Sequence, residues 1–303
     1  MPSASANFRG IRYLLAATTC FALNDACNKF VVASLPASEI ISLRAVISGS
    51  IVLAVLVASG ELKSLRAIAR PDITLRGLAE AMIGPCLIIP LAFMHQADVT
   101  AIFMIAPVLV AFVGFSYFKE QFSWALLSAS LIALCGAWLF VNPGGGMFQP
   151  VALLPVFASC FQVVREVISR TIGKTGGDGD AVTTGAVMLS TSLFSLVTGL
   201  VLAVFFSGAT PVEAWKWPNA QEWMLVTIAS TLFYGGVTLT YRAYHGSDLS
   251  VVAPFRYWYL FVAIMSGFFL FGELPTGRSI VGMLIIVSAG AIVLWSQRAR
   301  RTS

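Results

Sequence analysis

The chain has 303 residues, 58% of them hydrophobic and only 11% charged. A water-soluble domain carries about 25% charged residues, so the composition excludes a soluble enzyme and a nucleic-acid-binding module and makes the bulk of the chain membrane-embedded. The net charge of +5 would fit an anionic partner, but the placement of Lys and Arg along the chain accounts for it better.

A membrane span needs about 20 apolar residues. Ten stretches qualify, at 11–33, 39–58, 77–95, 98–118, 122–141, 150–170, 182–206, 221–243, 248–271 and 276–296. The gaps are short and hold the turn residues: Leu35-Pro36, Gly60, Pro71, Pro143 with Gly144–Gly146, Gly176-Gly177, Pro211, Pro218 and Pro275. Ten spans put both termini on one side. With that side cytoplasmic, 13 of the 19 Lys and Arg lie inside, two (Lys216, Arg278) lie outside, and four (Lys29, Arg44, Arg165, Arg256) lie within spans. This is a positive-inside bias, and nine or eleven spans would put the basic C-terminus outside. The expected location is the inner (plasma) membrane, multi-pass, with both termini cytoplasmic. Cys20, Cys27, Cys86, Cys135 and Cys160 all fall inside apolar runs without CxxC spacing, and read as small core residues. Nothing in the sequence calls for a metal or a cofactor.

The first span resembles a cleaved signal peptide only superficially, because it is long and contains Asp25 and Lys29. It places Asn24, Asp25, Asn28 and Lys29 within six residues. Such groups are costly in hydrocarbon and should face a cavity or pair with one another. On a helix, 24 and 28 share a face, as do 25 and 29, in the favourable order for an Asp–Lys pair. The patch is therefore expected to line a water-accessible, substrate-sized cavity, with Asn24 and Asn28 binding substrate. The alternative is a helix–helix contact that satisfies itself. Glu80 lies near the inner end of the third span and is a candidate proton site, as is Asp25; a pair with Arg76 explains Glu80 equally well.

On the sixth span Glu166 and Arg170 are four apart and expected to pair. Gln162 and Arg165 are expected to line the cavity, with snorkelling of Arg165 to the inner headgroups as the alternative. Tyr234 and Tyr241 on the eighth span share a face and offer either aromatic cavity surface or core packing. The ninth span carries Arg256-Tyr257-Trp258-Tyr259, deeper than an interfacial aromatic belt. At most two of these four can face a cavity. Arg256 is expected to bind a carboxylate, and Tyr257 or Tyr259 to stack on the substrate. Asp98 and Asp248 precede long apolar helices and read as N-caps. His95 and His245 read as interfacial, with pH sensing as the alternative. Glu120 and Glu273 are expected to cap the helices that follow them. Pro85, Pro90, Pro107, Pro155 and Pro254 interrupt spans, each freeing a carbonyl one turn back. Small residues on the fifth and tenth spans (Ser128, Ser130, Gly136; Gly282, Ser288, Gly290) fit close helix contact and a homodimer.

The two halves resemble each other. His95, Asp98 and Thr100 match His245, Asp248 and Ser250; FSYFKE at 115–120 matches FFLFGE at 268–273; LIALCGAW at 131–138 matches LIIVSAGA at 284–291; TTCF at 18–21 matches ASCF at 158–161. The expected architecture is an all-α integral membrane protein of ten transmembrane helices. Its first five-helix repeat is residues 1–146, and its second, residues 147–303, is inverted because five is odd. Inverted repeats mark secondary transporters, with the site between the repeats near the midplane.

Ten spans as five plus five, the Asn/Lys pattern of the first span, Leu43-Arg44 in the second, and Glu120 and Glu273 closing the fourth and ninth resemble the drug/metabolite transporter superfamily, EamA type. The resemblance implies a carrier for a small molecule, usually an exporter of amino acids or related metabolites, with a central cavity bounded by helices 1, 3, 4, 6, 8 and 9. The family's fourth helix often has Glu or Tyr before a Pro, whereas this chain has Ile105-Ala106-Pro107. Alternating access is the expected mechanism, and a proton-coupled uptake carrier is the runner-up. No P-loop is present, so ATP-driven pumping within this chain is excluded. An intramembrane enzyme would need a motif such as H-E-x-x-H or G-x-S-x-G, and neither occurs. A channel would need a ring of charges, which nothing in the sequence suggests.

Overall fold

The computed structural model describes residues 4–118, 150–175, 181–205 and 214–272 apart from 61, 63, 95 and 246, together with scattered positions between 124 and 135 and between 277 and 288. Among the described residues every regular element is an α-helix or a short 3₁₀ turn. The first half contributes α1 (Ala4–Val31), α2 (Ala37–Ser59), the short α3 (Ser64–Ala67), α4 (Pro71–Leu91), α5 (Gln96–Phe103) and α6 (Ala106–Ser116). The second contributes α7 (Leu153–Thr175), α8 (Ala181–Phe205), α9 (Ala220–Tyr244), the short α10 (Leu249–Val252), a 3₁₀ turn (Ala253–Tyr257) and α11 (Trp258–Phe271). The expected spans at 122–141 and 276–296, with the small residues assigned to a dimer, lie mostly outside the described residues, as do His95, Glu120 and Glu273.

Five helices are long and apolar enough to cross a bilayer: Ala37–Ser59, Pro71–Leu91, Pro150–Ile172, Thr184–Phe205 and Ala220–Tyr244. Helix α1, at 28 residues, is long enough as well; the polar cluster from Asn24 to Lys29 makes it less apolar. The chain is an all-α membrane protein. Its outer surface agrees: Leu53 and Val57 on α2, and Val197, Leu200 and Val204 on α8, are all exposed, an apolar girdle that would be a liability in water. Trp215, Trp217 and Lys216 precede α9 and are exposed, with Trp217 stacked edge-on to Trp223 at 5.6 Å. That is the amphipathic composition of a membrane–water boundary. Asn219 starts α9 as a capping box: its Oδ1 accepts from the Glu222 N–H at 2.9 Å, and Glu222 Oε2 accepts from the Asn219 N–H at 2.7 Å.

The fourth and ninth spans differ from their continuous reading, because each is broken near its start. The fourth divides into α5 and α6 around Met104-Ile105, and the ninth passes from α10 through the 3₁₀ turn into α11. The cause is local. Proline at 107 and at 254 has no N–H, so neither position can donate to the carbonyl one turn back. The carbonyl that Pro107 cannot serve is that of Phe103, and Ser159 Oγ of α7 donates to it at 3.2 Å. Thus a neighbouring helix satisfies the break, as a span requires.

The helices pack in a definite order. Helix α1 lies along α9 and also against α11; α4 lies along α7 and α8; α2 lies along α8; α5 and α6 rest on α7. The α2–α8 approach is close at Gly199, where a Cβ would come within 3.0 Å of the Ser38 carbonyl oxygen and the Ser42 backbone nitrogen. Gly199→Val should therefore overpack this contact and cost about 1–3 kcal/mol. The expected result is a lower thermal midpoint of the detergent-purified protein in fluorescence-detected size exclusion, with no comparable change for Val197→Ala on the lipid-facing side.

Candidate functional site: a charged cavity between the two halves

At the centre, α1, α2, α4 and α5 meet α7, α9 and α11 around a cavity. Its polar wall comprises Asn24, Asp25, Arg44 and Glu80 from the first half and Gln162, Arg165, Arg256 and Tyr259 from the second. Its apolar wall comprises Phe21, Ile83, Leu87, Ile88, Phe103 and Phe233. About 50 Å³ is open to the centres of water molecules, room for about three or four waters.

The charged groups form two sets. In the first, Arg165 grips Glu80 across the halves: Nη1 donates to Oε1 at 2.7 Å and to Oε2 at 2.9 Å. Arg165 Nη2 also donates to Glu166 Oε1 at 3.2 Å. The same Glu166 oxygen accepts from Arg256 Nη2 and from Gln162 Nε2. Arg76, on the turn of α4 before Glu80, donates from Nε to Ser169 Oγ at 2.8 Å and holds Nη2 3.9 Å from Glu80 Oε2. In the second set, Asp25 accepts from Tyr259 Oη and from Asn24 Nδ2, the latter at 2.9 Å. Arg44 stands apart, its guanidinium 4.2 Å from the centre of the Phe233 ring. All of these charged side chains are buried. Several kcal/mol is the usual penalty for each ion taken out of water, which is why the carboxylates each gather several donors.

The residues expected from the sequence divide accordingly. Asn24, Asp25, Glu80, Gln162, Arg165 and Arg256 line the cavity. Arg165 does not snorkel; it reaches inward to Glu80. Asn28 is buried on α1 but is not among the lining residues, and its Nδ2 has no hydrogen-bond partner. Tyr257 belongs to the apolar core beside Tyr244 and Leu260, and Tyr259, two residues on, takes the cavity position. The 3₁₀ turn ending at Tyr257 resets the helical phase, which a uniform helix could not anticipate. Tyr234 packs against the cluster around Val52, Leu56 and Phe233 and not on the cavity.

Two pairings are corrected. Glu166 does not pair with Arg170. It turns to Arg165, Arg256 and Gln162, while Arg170 Nη2 reaches Asp248 Oδ1 at 3.2 Å. Helical spacing permitted the local pair, but partners from other helices hold both side chains more fully. The described contacts of Asp25 run to Tyr259 and Asn24, and the Lys29 amino group lies over the Phe271 ring at 4.4 Å. Asp248 sits just before α10 and binds Asn7 as well: its Oδ2 accepts from Asn7 Nδ2 at 3.0 Å and its N–H donates to Asn7 Oδ1 at 2.9 Å. Asp98 falls within α5 and not before it.

Sequence reasoning missed Arg44 and Glu166 as parts of the site. The signal for Arg44 was present, since an ionisable residue inside a span marks function by default. For Glu166 the neighbouring Arg170 offered an easier partner.

Comparison with known proteins agrees with the fold. Residues 8–142 match the EamA-like transporter family. The chain is 26% identical over 203 residues to a riboflavin transporter of Vibrio cholerae, an alignment covering 66% of this chain and 63% of that protein. It is 19% identical to an S-adenosylmethionine uptake transporter of Rickettsia prowazekii, covering 97% of this chain and 95% of that one. It is 23% identical to the pseudopaline exporter CntI of Pseudomonas aeruginosa, covering 92% and 94%. A solved crystal structure, 18% identical, superposes with a TM-score of 0.75 over 96% of this chain and 98% of its own, a likeness of fold. Over residues 8–142 the chain is thus similar to EamA-like transporters, and the relatives it matches are named as transporters or exporters.

Removing one member of a buried pair strands the other, at a cost of about 3–5 kcal/mol. Glu80→Gln and Arg165→Gln should each lower the yield and thermal midpoint of folded protein. The double variant should recover a substantial part of the loss. Strictly additive losses in that cycle would show that the pair does not hold the halves together.

Proposed function

We propose that this chain is a secondary carrier that moves a small metabolite across the inner membrane by alternating access, with both termini cytoplasmic. The observation that carries the reading is a charged cavity walled by both halves inside a bundle otherwise apolar toward lipid. A self-contained helix contact would need no such space.

The inverted five-helix repeat is supported by the reciprocity of the packing. If α1, α2, α4 and α5–α6 correspond to α7, α8, α9 and α10–α11, a two-fold relation demands that every contact have a mate. The α1–α9 contact then has its mate in α7–α4, and α1–α11 in α7 with α5 and α6, while α2–α8 maps on itself. The break at Met104-Ile105 and the turn at Ala253–Tyr257 fall at corresponding places.

Both ends of the cavity are strapped by contacts between the halves. At one end Asn7 and Arg170 hold Asp248. At the other, Trp215 Nε1 donates to Ser38 Oγ at 2.9 Å and the Lys216 N–H donates to Glu39 Oε2 at 3.2 Å. Rocking one half against the other would open one strap while the other holds, and would widen a space that now suits only water.

The substrate reading is an amino acid or related metabolite, and the direction is export. Asn24, Gln162, Arg165 and Arg256 contribute from the wall, with Asn28, Tyr234 and Tyr257 behind it. Of the two proton-site candidates Asp25 is the stronger, because Glu80 is held by a two-oxygen grip from Arg165. Arg256 is committed to Glu166, so Arg256→Ala is expected to act on the network as much as on the substrate.

Counterflow in proteoliposomes tests the carrier. Internal substrate should accelerate uptake of labelled external substrate, with saturation. Flux that rises linearly without exchange acceleration would make the protein a channel. An imposed pH gradient should change the rate of the wild type, and Asp25→Asn should abolish that response; an unchanged response would remove Asp25 from coupling.

A further inference from the structure

Arg44 is the one buried cation on the cavity wall, among the described residues, that makes neither a close ion pair nor a hydrogen bond to a carboxylate, although Asp25 and Glu80 attract it across the cavity. It is 3% exposed, yet no described carboxylate oxygen lies within 4.0 Å of its nitrogens and it donates no described hydrogen bond; its Nε is buried without a partner. Arg76, Arg165 and Arg256, by contrast, all point at Glu80 or Glu166. What Arg44 does have is position. Its guanidinium lies 4.2 Å from the Phe233 ring centre on one side, and on another so near α4 that a Cβ at Gly84 would stand 3.1 Å from Nη2. A ring and a bare stretch of backbone thus hold the fork in place without consuming its donors.

The charge count of the core points the same way. Among the described residues around the cavity, four guanidinium groups (Arg44, Arg76, Arg165, Arg256) are buried with three carboxylates (Asp25, Glu80, Glu166). Arginine does not deprotonate in proteins. Protonating any of the carboxylates enlarges the positive surplus and does not cancel it. The cluster therefore carries at least one positive charge in excess, and Arg44 is the guanidinium on the cavity wall whose donors are not taken up by a carboxylate. An unpaired charge out of water is costly, and a monoanion bound at Arg44 removes the imbalance. The remaining wall is apolar and aromatic, through Phe21, Phe103, Phe233 and Leu87. Asn24 Oδ1, buried and without a donor, offers a single acceptor for an N–H or O–H of the ligand.

We propose that Arg44 binds the carboxylate of the transported molecule, a small compound with one net anionic group on an apolar or aromatic body. This rests on the carrier reading for transport, but binding can be read separately. It moves the anion-binding role from Arg256 to Arg44 and names a substrate class by charge.

The test uses the full chain, purified in detergent and in proteoliposomes. The probes are isovalerate and phenylacetate, each against its primary amide, and sodium chloride alone. The readout is ligand-dependent shift of the thermal midpoint, titrated to an apparent affinity. A hydrogen bond to a charged group corresponds to a preference of about tenfold or more. Wild type should therefore prefer at least one acid over its amide by that factor. Arg44→Gln should bring the acid to the level of the amide, and Arg44→Lys should retain part of the preference. If Arg44→Gln does not fold, Gly84→Ala replaces it. That variant crowds the guanidinium and keeps its charge, and should weaken the acid while sparing the amide.

Undiminished acid preference in Arg44→Gln or, where that variant does not fold, in Gly84→Ala would overturn the assignment. So would the absence of binding by any of the acids, or stabilisation by chloride equal to that by the acids. Counterflow with the same probes separates the two readings. Arg44-dependent acid binding without counterflow overturns the carrier and leaves the site standing. Saturable counterflow with unaltered acid preference in the variant does the reverse.

Discussion

Burial of charge inside a membrane protein is the constraint on which this structure depends. Two unit charges 4 Å apart attract by about 4 kcal/mol at an effective dielectric constant of 20, and an unpaired one in a dry interior is strongly unfavourable. The core answers with shared partners. Glu166 takes donors from Arg165, Arg256 and Gln162, and Glu80 takes both contacts of one Arg165 nitrogen. Because Glu80 belongs to α4 and Arg165 to α7, satisfying charge is also what ties the first half of the chain to the second.

The same economy governs the backbone. Proline at 107 breaks a span and leaves the Phe103 carbonyl without its helical donor, and the small hydroxyl of Ser159 supplies one. The break and its remedy lie on the wall side of α5 and α7, where Phe103 also lines the cavity. Irregular backbone at membrane depth is tolerated only where protein or water satisfies it, so broken helices and wet cavities occur together. A break also sets the helical phase of the residues beyond it. On the ninth span, the 3₁₀ turn at Ala253–Tyr257 buries Tyr257 in the core and brings Tyr259 to Asp25.

The cavity joins opposing demands. Its aromatic and aliphatic residues make it apolar over most of the wall, while a few groups with fixed direction supply polarity. Arg165, Arg256 and Arg76 are bound to carboxylates and stiffen the wall. Asp25 is held by neutral donors from α1 and α11, and Arg44 by an aromatic ring. Groups held loosely in charge but firmly in place are the ones able to respond to a ligand or a proton. The straps at either end, Asp248 with Arg170 and Asn7, and Glu39 and Ser38 with residues 215–216, are near the bundle's surfaces, where water lowers the cost of breaking them.

The sequence by itself determined the class. Long apolar runs, scarce charge and ionisable residues inside spans dictate a helical membrane protein, because only helices or closed barrels satisfy their backbone in lipid. It also placed Asn24, Asp25, Glu80, Gln162, Arg165 and Arg256 near one another in expectation, since charge within a span must seek the interior. What only the tertiary structure decided is which charge answers which. The pairing of Glu166 with Arg256, ninety residues away, cannot be read from helical spacing, which offers Arg170 instead. Nor can the lack of a hydrogen-bonded carboxylate at Arg44, because that is a property of every helix packed around it and not of its own. Periodicity reports one helix at a time, whereas ion pairing in a low-dielectric core is settled among all of them at once.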